Sequence, residues 1–205
     1  VGILGAMIFV LGLVALVKAT DRAEGVRQAI RLLGINEVRG DRVLLKPNFN
    51  SADPAPGSTH PDVLRALVAE LGELGARSIA VGDRSGMGQT QVVMQQIGVF
   101  DLAKELGFST VVYDNLGEKD WALQESKDLH WSRGFAVPKQ LLDAEAVVQT
   151  CNLKTHRFGG HFTLSLKNSV GFVAKQIDGV GYNYMTELHG SQYQRHMIAE
   201  VNQVY

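Results

Sequence analysis

The segment Arg42–Asn50 (RVLLKPNFN) decides the fold, because a short apolar run ends at a proline and gives way to polar residues. A run of this length bounded by turn residues is typical of a buried strand, so we predict a strand over Arg42–Lys46. The polar stretch that follows, from Pro47 to Thr59, contains three prolines and shows no periodicity. It exceeds the usual length of a strand-to-helix connection, which indicates a functional loop.

Strands and helices alternate on both sides of this segment. Further strands are predicted at Leu13–Lys18, Ser78–Val81, Thr110–Tyr113 and Ala146–Thr150, with an edge strand at Leu129–Ser132. Helices are predicted after Asp21, from Pro61, over Thr90–Leu106 with an interruption at Gly98, over Pro138–Leu142, from near Thr163 past Lys167, and from about Ser191. Such alternation implies right-handed crossovers between parallel strands. We therefore predict an α/β fold with a doubly wound, mostly parallel sheet and helices on both faces.

The first seventeen residues, Val1 to Val17, carry no charged side chain. Spanning a bilayer takes about 20 apolar residues, so this run is marginal as a membrane helix. It also lacks the basic start and the small-residue cleavage site of a signal peptide. We divide the chain into an apolar N-terminal appendage, residues 1–12, and a domain that begins at residue 13. We expect a cytoplasmic protein, with export or membrane anchoring through the appendage as the alternative.

The composition is that of a globular protein, with 45% hydrophobic and 20% charged residues. The formal net charge of −1 argues against non-specific nucleic-acid binding, which requires a basic face. Cys151 is the only cysteine, so the chain alone forms no internal disulfide and supplies no set of four thiolates for an iron–sulfur cluster. The sequence indicates no particular cofactor, metal or oligomeric state.

Three lysines stand at the edges of apolar segments: Lys46, Lys154 and Lys167. In sheets of the predicted class, ligands bind outside the carboxyl ends of the strands, where the polar loops should converge. A lysine held at a dry cleft needs a carboxylate partner, an anionic ligand or a lowered pKa. The lysines therefore indicate either a pocket for a carboxylate or phosphate, or side chains that extend to solvent or pair with an acid such as Asp83.

The remaining polar residues of these loops complete the candidate site. Hydroxyls near Pro61, together with N–H groups at the start of its helix, would add donors for an anion. His156 is the best candidate for proton transfer, because it lies between Lys154 and a segment with two glycines, Arg157–Gly160. The candidate catalytic residues are His156, Lys154 and Lys167. The candidate substrate-binding residues are Lys46, Asn48, Ser58, Thr59, His60, Asp83, Asn152 and Asn168.

Motifs of several common sites are absent from the sequence. No G-x-G-x-x-G follows a predicted strand, which argues against ordinary dinucleotide binding. The stretch Gly82–Thr90 has the wrong glycine spacing for a P-loop and carries Gln89 where the lysine belongs. H-E-x-x-H and G-x-S-x-G do not occur. His196 and Glu200 lie four residues apart, a spacing that suits metal ligation and equally suits a solvated helix face.

Five stretches resemble, in order and in spacing, the family named domain of unknown function 362. They are Val43–Asn50 (VLLKPNFN), Gly57–Pro61 (GSTHP), Gly75–Asp83 (GARSIAVGD), Asn152–His156 (NLKTH) and Thr163–Gly171 (TLSLKNSVG). Members of this family are mostly uncharacterised, and some carry ferredoxin-like iron–sulfur segments or export signals. The resemblance also implies that the domain over residues 13–205 is truncated at its C-terminal end.

By the order of its elements alone, the chain is also similar to the nickel-pincer lactate racemase family. That family has a histidine and a cofactor-bearing lysine in a glycine-rich loop after a strand. His156, Gly159, Gly160 and Lys167 would stand at comparable places, which is an analogy at the level of fold.

Two functions follow from the sequence. The first is an enzyme acting on a small carboxylate or phosphate: Lys154 and Lys167 would bind or polarise the substrate, His156 would move a proton, and Asp83 would orient a lysine. The second is a non-catalytic accessory or binding domain for an iron–sulfur, redox or metal-handling partner. The sequence alone leaves both open.

Overall fold

The computed structural model describes residues 13–34, 37–155 and 163–205, and at its centre lies a sheet of four parallel strands. The strands are β1 (Arg42–Lys46), β2 (Ser78–Asp83), β3 (Ser109–Val112), β4 (Trp121–Gln124), β5 (Phe135–Pro138) and β6 (Ala146–Gln149). The parallel strands lie in the order β3-β2-β1-β6, and β4 pairs with β5 in a separate antiparallel hairpin. The parallel sheet confirms the predicted α/β fold.

The helices of the described residues alternate with these strands. They are α1 (Arg22–Leu33), α2 (Pro61–Glu73), α3 (Thr90–Ile97), α4 (Val99–Leu106), α5 (Lys139–Asp143), α6 (Ser165–Asn168), α7 (Tyr184–Gly190) and α8 (Gln194–Val201). Their ends follow local capping chemistry: Asp21 Oδ1 accepts from the backbone N–H of Glu24 at 2.7 Å, and Gly34 ends α1 with a φ of 63°. None of the helices in these ranges is long and apolar enough to cross a membrane.

The connections define a switch point in the sheet. From β1 the chain crosses through α2 to β2 and through α3 and α4 to β3, moving outward in one direction. It later returns to place β6 on the opposite side of β1. The order of the strands therefore reverses between β1 and β6. In open α/β sheets, ligands bind outside the carboxyl ends of the strands at such a point.

Neighbouring residues of β1 show how both faces of the sheet are buried. Leu45 packs on one face with the apolar side chains of α2, α3 and α4. Leu44 packs on the other with the hairpin, the turn at residues 169–172, α7 and α8. Because successive side chains of a strand point to opposite faces, the continuous apolar run is explained by helices on both sides.

The prediction of a first core strand at Leu13–Lys18 is wrong. Residues 13–19 form no strand, and Leu13, Val14 and Leu16 are 69%, 85% and 93% exposed. An apolar run becomes a strand only where a neighbour pairs with its backbone N–H and C=O groups. In the described chain the sheet order is β3-β2-β1-β6, and no strand of it pairs with residues 13–19.

The prediction of an edge strand at Leu129–Ser132 is also wrong, since these residues lie in the loop between β4 and β5. Trp131 is fully buried, and its indole N–H donates to the carbonyl oxygen of Met197 at 3.2 Å. Its ring lies 5.3 Å from the ring of Phe135. Trp131 is therefore buried by packing against α8 and the neighbouring ring of Phe135 rather than by membership of a sheet.

Candidate functional site

A cavity of about 780 Å³ opens at the carboxyl ends of β1, β2 and β6. Lys46 and Asp83 reach it from the last positions of β1 and β2, and Asn152 reaches it from the loop after β6. Residues of α6 and α7 line the rest of the wall. The cavity thus lies at the switch point between β1 and β6, where the fold class places ligands.

The floor of the cavity contains a buried ion pair. Lys46 and Asp83 are each 1% exposed, and Lys46 Nζ lies 2.6 Å from Asp83 Oδ1. The ammonium also donates to the carbonyl oxygen of Pro47 at 2.6 Å. Asp83 accepts further hydrogen bonds from the backbone N–H groups of Phe49, at 2.7 Å, and Arg84, at 2.6 Å.

Burial and pairing act in opposite directions on this pair. Burial lowers the pKa of Lys46 and raises the pKa of Asp83, since it penalises the charged form of each, while each partner favours the charge of the other. The carboxylate uses both oxygens and the ammonium uses two of its three donors. Each charge of the pair is therefore balanced by the other, and the pair joins the ends of β1 and β2.

Gly171 passes directly over this pair. A Cβ atom at this position would lie 2.6 Å from Nζ and Cε of Lys46 and 2.8 Å from Asp83 Oδ1. Those distances are shorter than van der Waals contact, so only glycine fits here without displacing the ion pair. The neighbouring ring of Phe172 lies with its centroid 5.8 Å from the Lys46 ammonium.

Arg84 fixes the chain segment that contains Gly171. Its guanidinium donates to the carbonyl oxygens of Val173, at 2.8 Å, and Val170, at 3.0 Å. It also donates to the carbonyl oxygen of Ser85 at 3.2 Å. It donates as well to Met185 Sδ at 3.2 Å, so all these partners are neutral, and burial is the largest cause of the lowered pKa of Arg84. Arg84 consequently brings a positive charge to the cavity wall that no hydrogen-bonded carboxylate balances.

The long loop after β1 is fastened to the loop after β6 by hydroxyl and amide groups. Thr59 Oγ1 accepts from the backbone N–H of Asn48 and contacts Thr150 Oγ1, each at 2.9 Å. Asn152 donates its side-chain amide to the carbonyl oxygen of Ser58 at 3.3 Å, and the Ser58 hydroxyl donates to another loop carbonyl. Ser58 and Thr59 are buried and spend their hydroxyls within the loop.

The side chains of His60 and Asn168 form hydrogen bonds to the backbone. His60 is the N-cap of α2, and its Nδ1 accepts from the backbone N–H of Asp62 at 3.1 Å. The side-chain amide of Asn168 donates to the carbonyl oxygens of Lys46, at 3.1 Å, and Thr150, at 3.4 Å. Asn168 therefore bridges the carboxyl ends of β1 and β6 at the mouth of the switch point.

Lys154 and Lys167 differ in what surrounds them. The ammonium of Lys154 donates to the carbonyl oxygen of Gly57. Burial lowers its pKa, and the carboxylate of Asp53 opposes that shift. Lys167 sits on α6, where burial, together with the charges of Arg84, Lys46 and Lys154, lowers its pKa to about 8. The charged groups that shift Lys167 are thus all cations.

The charge of the cavity contrasts with that of the whole chain, which is −1. One carboxylate, Asp83, is found among its described lining residues, and it is already paired with Lys46. The cations among the same residues are Lys46, Arg84, Lys154, Lys167 and Lys175. A concave site with low-dielectric walls and an excess of one charge attracts ligands of the opposite charge.

The structure brings together most of the residues predicted from the sequence. The predicted residues that line the cavity are Lys46, Asn48, Asp83, Asn152, Lys154, Lys167 and Asn168. Ser58, Thr59 and His60 are not among its lining residues. They lie in the loop after β1 and at the start of α2. His156, the predicted proton carrier, lies outside the described residues.

Sequence reasoning did not select several lining residues. Arg84 follows Asp83 at the end of β2, and its position in the GDR sequence was the available signal. Six more come from the segment before α7 and from α7 itself, a helix that was not predicted. They are Lys175, Asn183, Met185, Thr186, His189 and Gly190.

The other polar cluster noted in the sequence is structural. Glu200 accepts from the backbone N–H of His130 at 3.1 Å and contacts its Nδ1, and the ring of His196 lies 4.7 Å from the ring of His130. These contacts fasten the loop before β5 to α8. No group of three or more His, Cys, Asp or Glu side chains in the described ranges is placed to hold a metal ion.

Comparison with known proteins gives a family and no activity. The model of the family described as domain of unknown function (DUF362) matches residues 43–205. No curated protein and no solved structure matches the chain.

Proposed function

Because the chain belongs to the DUF362 family, whose description names no activity, we propose from the cavity itself that the protein is an enzyme that binds a small carboxylate or phosphate at the strand ends. The observation that carries this proposal is the set of cations around Lys167. One carboxylate, Asp83, is found among the described lining residues of the cavity, and it is already paired with Lys46. An anion is the partner that this arrangement lacks.

The physical argument is the cost of an unpaired charge in a partly dry site. Removing an ammonium from water without a compensating anion is unfavourable, and mutual repulsion among cations adds to that cost. A bound carboxylate or phosphate would relieve both, because its oxygens accept charge-assisted hydrogen bonds from lysine and arginine. The volume of about 780 Å³ suits a ligand of small-molecule size.

The role that we propose for each residue follows from the contacts that it already makes. Lys167 has no competing carboxylate among its charged neighbours and would contact the anion directly. Lys154 would approach from the opposite loop after exchanging its bond to the Gly57 carbonyl. Asn152 and Asn183 line the same cavity and offer neutral donors. The Lys46–Asp83 pair would form the floor of the cavity and position the neighbouring residues, and it would not pair with the ligand.

Proton transfer is the chemistry that this set of groups favours. A lysine with a pKa of about 8 exchanges its proton near neutral pH, which suits a general acid or base. His156 stays a prediction for the same role. The site thus supports an enzyme that binds its substrate through an anionic group and moves a proton beside it.

Calorimetric titration of the chain with inorganic phosphate, sulfate and malonate, at constant ionic strength, tests the binding step. We expect at least one of these anions to bind, and Lys167→Gln to weaken it by about tenfold or more, since a hydrogen bond to a charged group contributes about 1.5–3 kcal/mol. Lys104→Gln is the matched control, because Lys104 is exposed on α4 and pairs with Asp101 at 3.6 Å.

Equal affinity in the Lys167 and Lys104 variants, or no binding of any of the three anions to the parent chain, would contradict the proposal. Either result would favour the alternative of a non-catalytic accessory domain for a redox or metal-handling partner.

A further inference from the structure

We propose that Lys167 is a nucleophile that forms an imine with the carbonyl carbon of a small 2-oxo acid bound in the cavity. This inference rests on the proposed function, since the carboxylate of the oxo acid is the anion that the cavity would bind. It adds the reacting atom and the class of substrate.

The first argument is the placement of the amine. Lys167 lines the cavity from α6, and the charges that act on it come from three separate elements: Lys46 at the end of β1, Arg84 after β2 and Lys154 after β6. The other titratable groups that line the same described cavity are Asp83, Cys151, Lys175 and His189. Asp83 bonds to Lys46 and to two backbone N–H groups, so it is not available to hold Lys167 as an ammonium ion.

The second argument is that the lowered pKa of Lys167 suits a nucleophile better than a residue that only binds anions. If Lys167 only bound anions, a full positive charge would serve best, yet burial in the cavity wall, reinforced by the surrounding cations, brings its pKa down to about 8. Neighbouring cations and a dry pocket are the means by which a lysine becomes a neutral nucleophile. The amine is then available for reaction, while Arg84 and Lys154 remain as cations for the substrate carboxylate.

The third argument is the fit of a 2-oxo acid to this arrangement. Its carboxylate is bonded directly to the carbonyl carbon, so a cation that binds the carboxylate places the carbon beside the lysine. The iminium product keeps the positive charge of the original ammonium. The bound carboxylate therefore stabilises the product as it would stabilise the ammonium, and the site gains no additional unpaired cation.

The reaction balances without an oxidant or a reductant. The Lys167 ammonium releases a proton, and the lone pair of the amine forms a C–N bond to the carbonyl carbon. The carbonyl electron pair moves to oxygen, and a proton passes from the attacking nitrogen to that oxygen, which gives a neutral carbinolamine. The nitrogen lone pair then forms C=N as the hydroxyl group leaves as water with the proton that the ammonium first released, so that ammonium and carbonyl become iminium and water.

Reductive trapping with pyruvate and cyanoborohydride tests the proposal on the intact chain. The hydride converts an imine into a stable secondary amine, which adds the mass of one reduced pyruvate unit and is located by peptide mapping. At about pH 7.5 we expect Lys167 to be labelled about tenfold or more faster than Lys104 in the same sample, because a larger fraction of its amine is neutral. We expect malonate to slow labelling at Lys167 and to leave Lys104 unchanged.

Lys167→Arg removes the nucleophile and keeps the charge, so the rapid labelling should disappear from that variant. If the variant fails to fold, the ratio of labelling at Lys167 to labelling at Lys104 in the parent chain decides the question alone. Labelling at equal rates would overturn the imine. If phosphate or malonate still binds in that case, the anion-binding proposal stands by itself; if neither binds, both proposals fail.

Discussion

Two lysines of the same cavity, Lys46 and Lys167, meet opposite electrostatic surroundings. Lys46 is 1% exposed and lies 2.6 Å from Asp83, whose remaining acceptor sites are filled by backbone N–H groups. Lys167 is partly buried, and in the described chain the charges that act on it are those of Lys46, Arg84 and Lys154. The difference teaches that burial alone does not identify a functional lysine. The paired lysine stabilises the fold, whereas the lysine among cations is the one for which we propose an anionic ligand.

Removing the paired lysine should have the largest effect on stability. Lys46→Met leaves the buried carboxylate of Asp83 without its cation, and breaking one side of a buried pair costs about 3–5 kcal/mol of unfolding free energy. Urea denaturation measures this loss. The double variant Lys46→Met with Asp83→Asn should recover a large part of it, since neither charge then remains. A loss below about 1 kcal/mol in the single variant would show that the pair is not structural.

Removing the lysine among cations should act in the opposite direction. The native pKa of Lys167 is about 8 and the ordinary value is 10.5, so between these values the unfolded chain binds more protons than the folded chain. Stability of the parent chain therefore rises as pH increases through this window. At about pH 7 the full penalty applies, and Lys167→Met should be more stable than the parent, by up to about 3 kcal/mol.

Urea midpoints of the parent chain and of Lys167→Met, measured at about pH 7 and about pH 9.5, test this sign. The advantage of the variant should shrink as pH rises. A variant that is less stable than the parent at neutral pH would mean that Lys167 has a stabilising partner.

A substitution at Gly171 tests how tightly the Lys46–Asp83 pair is held in place. The Cβ of Gly171→Ala would overlap Lys46 and Asp83, and overpacking of this kind costs about 1–3 kcal/mol. Gly72→Ala is the matched control, because a Cβ there meets nothing within 4 Å and the residue lies inside α2. That control should be neutral or slightly stabilising. Equal stability of the two variants would show that the ion pair moves aside without cost.

The smallest effect is expected at His60, which caps α2 and does not line the cavity. His60→Ala should cost about 1 kcal/mol or less through the lost cap and leave phosphate affinity unchanged. Asn183→Ala offers a matched comparison, since Asn183 caps α7 with two hydrogen bonds of 3.0 Å and also lines the cavity. Titration should show weaker phosphate binding in that variant alone. Weaker binding in His60→Ala would extend the site to the start of α2, as predicted from the sequence.

The parts of the fold with local signals were predictable. Arg42–Lys46 is a strand because an apolar run ends at Pro47, and α1 is bounded by Asp21 and Gly34. Leu13–Lys18 failed because its composition does not reveal whether a neighbouring strand is available. The β4–β5 hairpin was missed because a long loop, rather than a short turn with a recognisable sequence, joins its four-residue strands.

The candidate site was predictable to the extent that strand ends determine it. Lys46, Asp83 and Asn152 could be placed together because the carboxyl ends of parallel strands share one side of a sheet. That a lysine could pair with Asp83 was one of the two readings of the sequence, and it is confirmed for Lys46. Which lysine pairs, and that Lys167 has only cations among its charged neighbours in the described chain, depend on side-chain geometry that spacing does not encode. The residues of α7 were missed with the helix itself.

The proposal that Lys167 binds an anion is tested most directly by the pKa of the Lys167 side chain. NMR of isotope-labelled lysine side chains measures this pKa with and without phosphate. Lys167→Arg would assign the resonance. We predict a pKa of about 8 in the free chain and a clearly higher value in the presence of phosphate, because a bound anion favours the ammonium. A pKa near the ordinary 10.5 that phosphate leaves unchanged would contradict the claim.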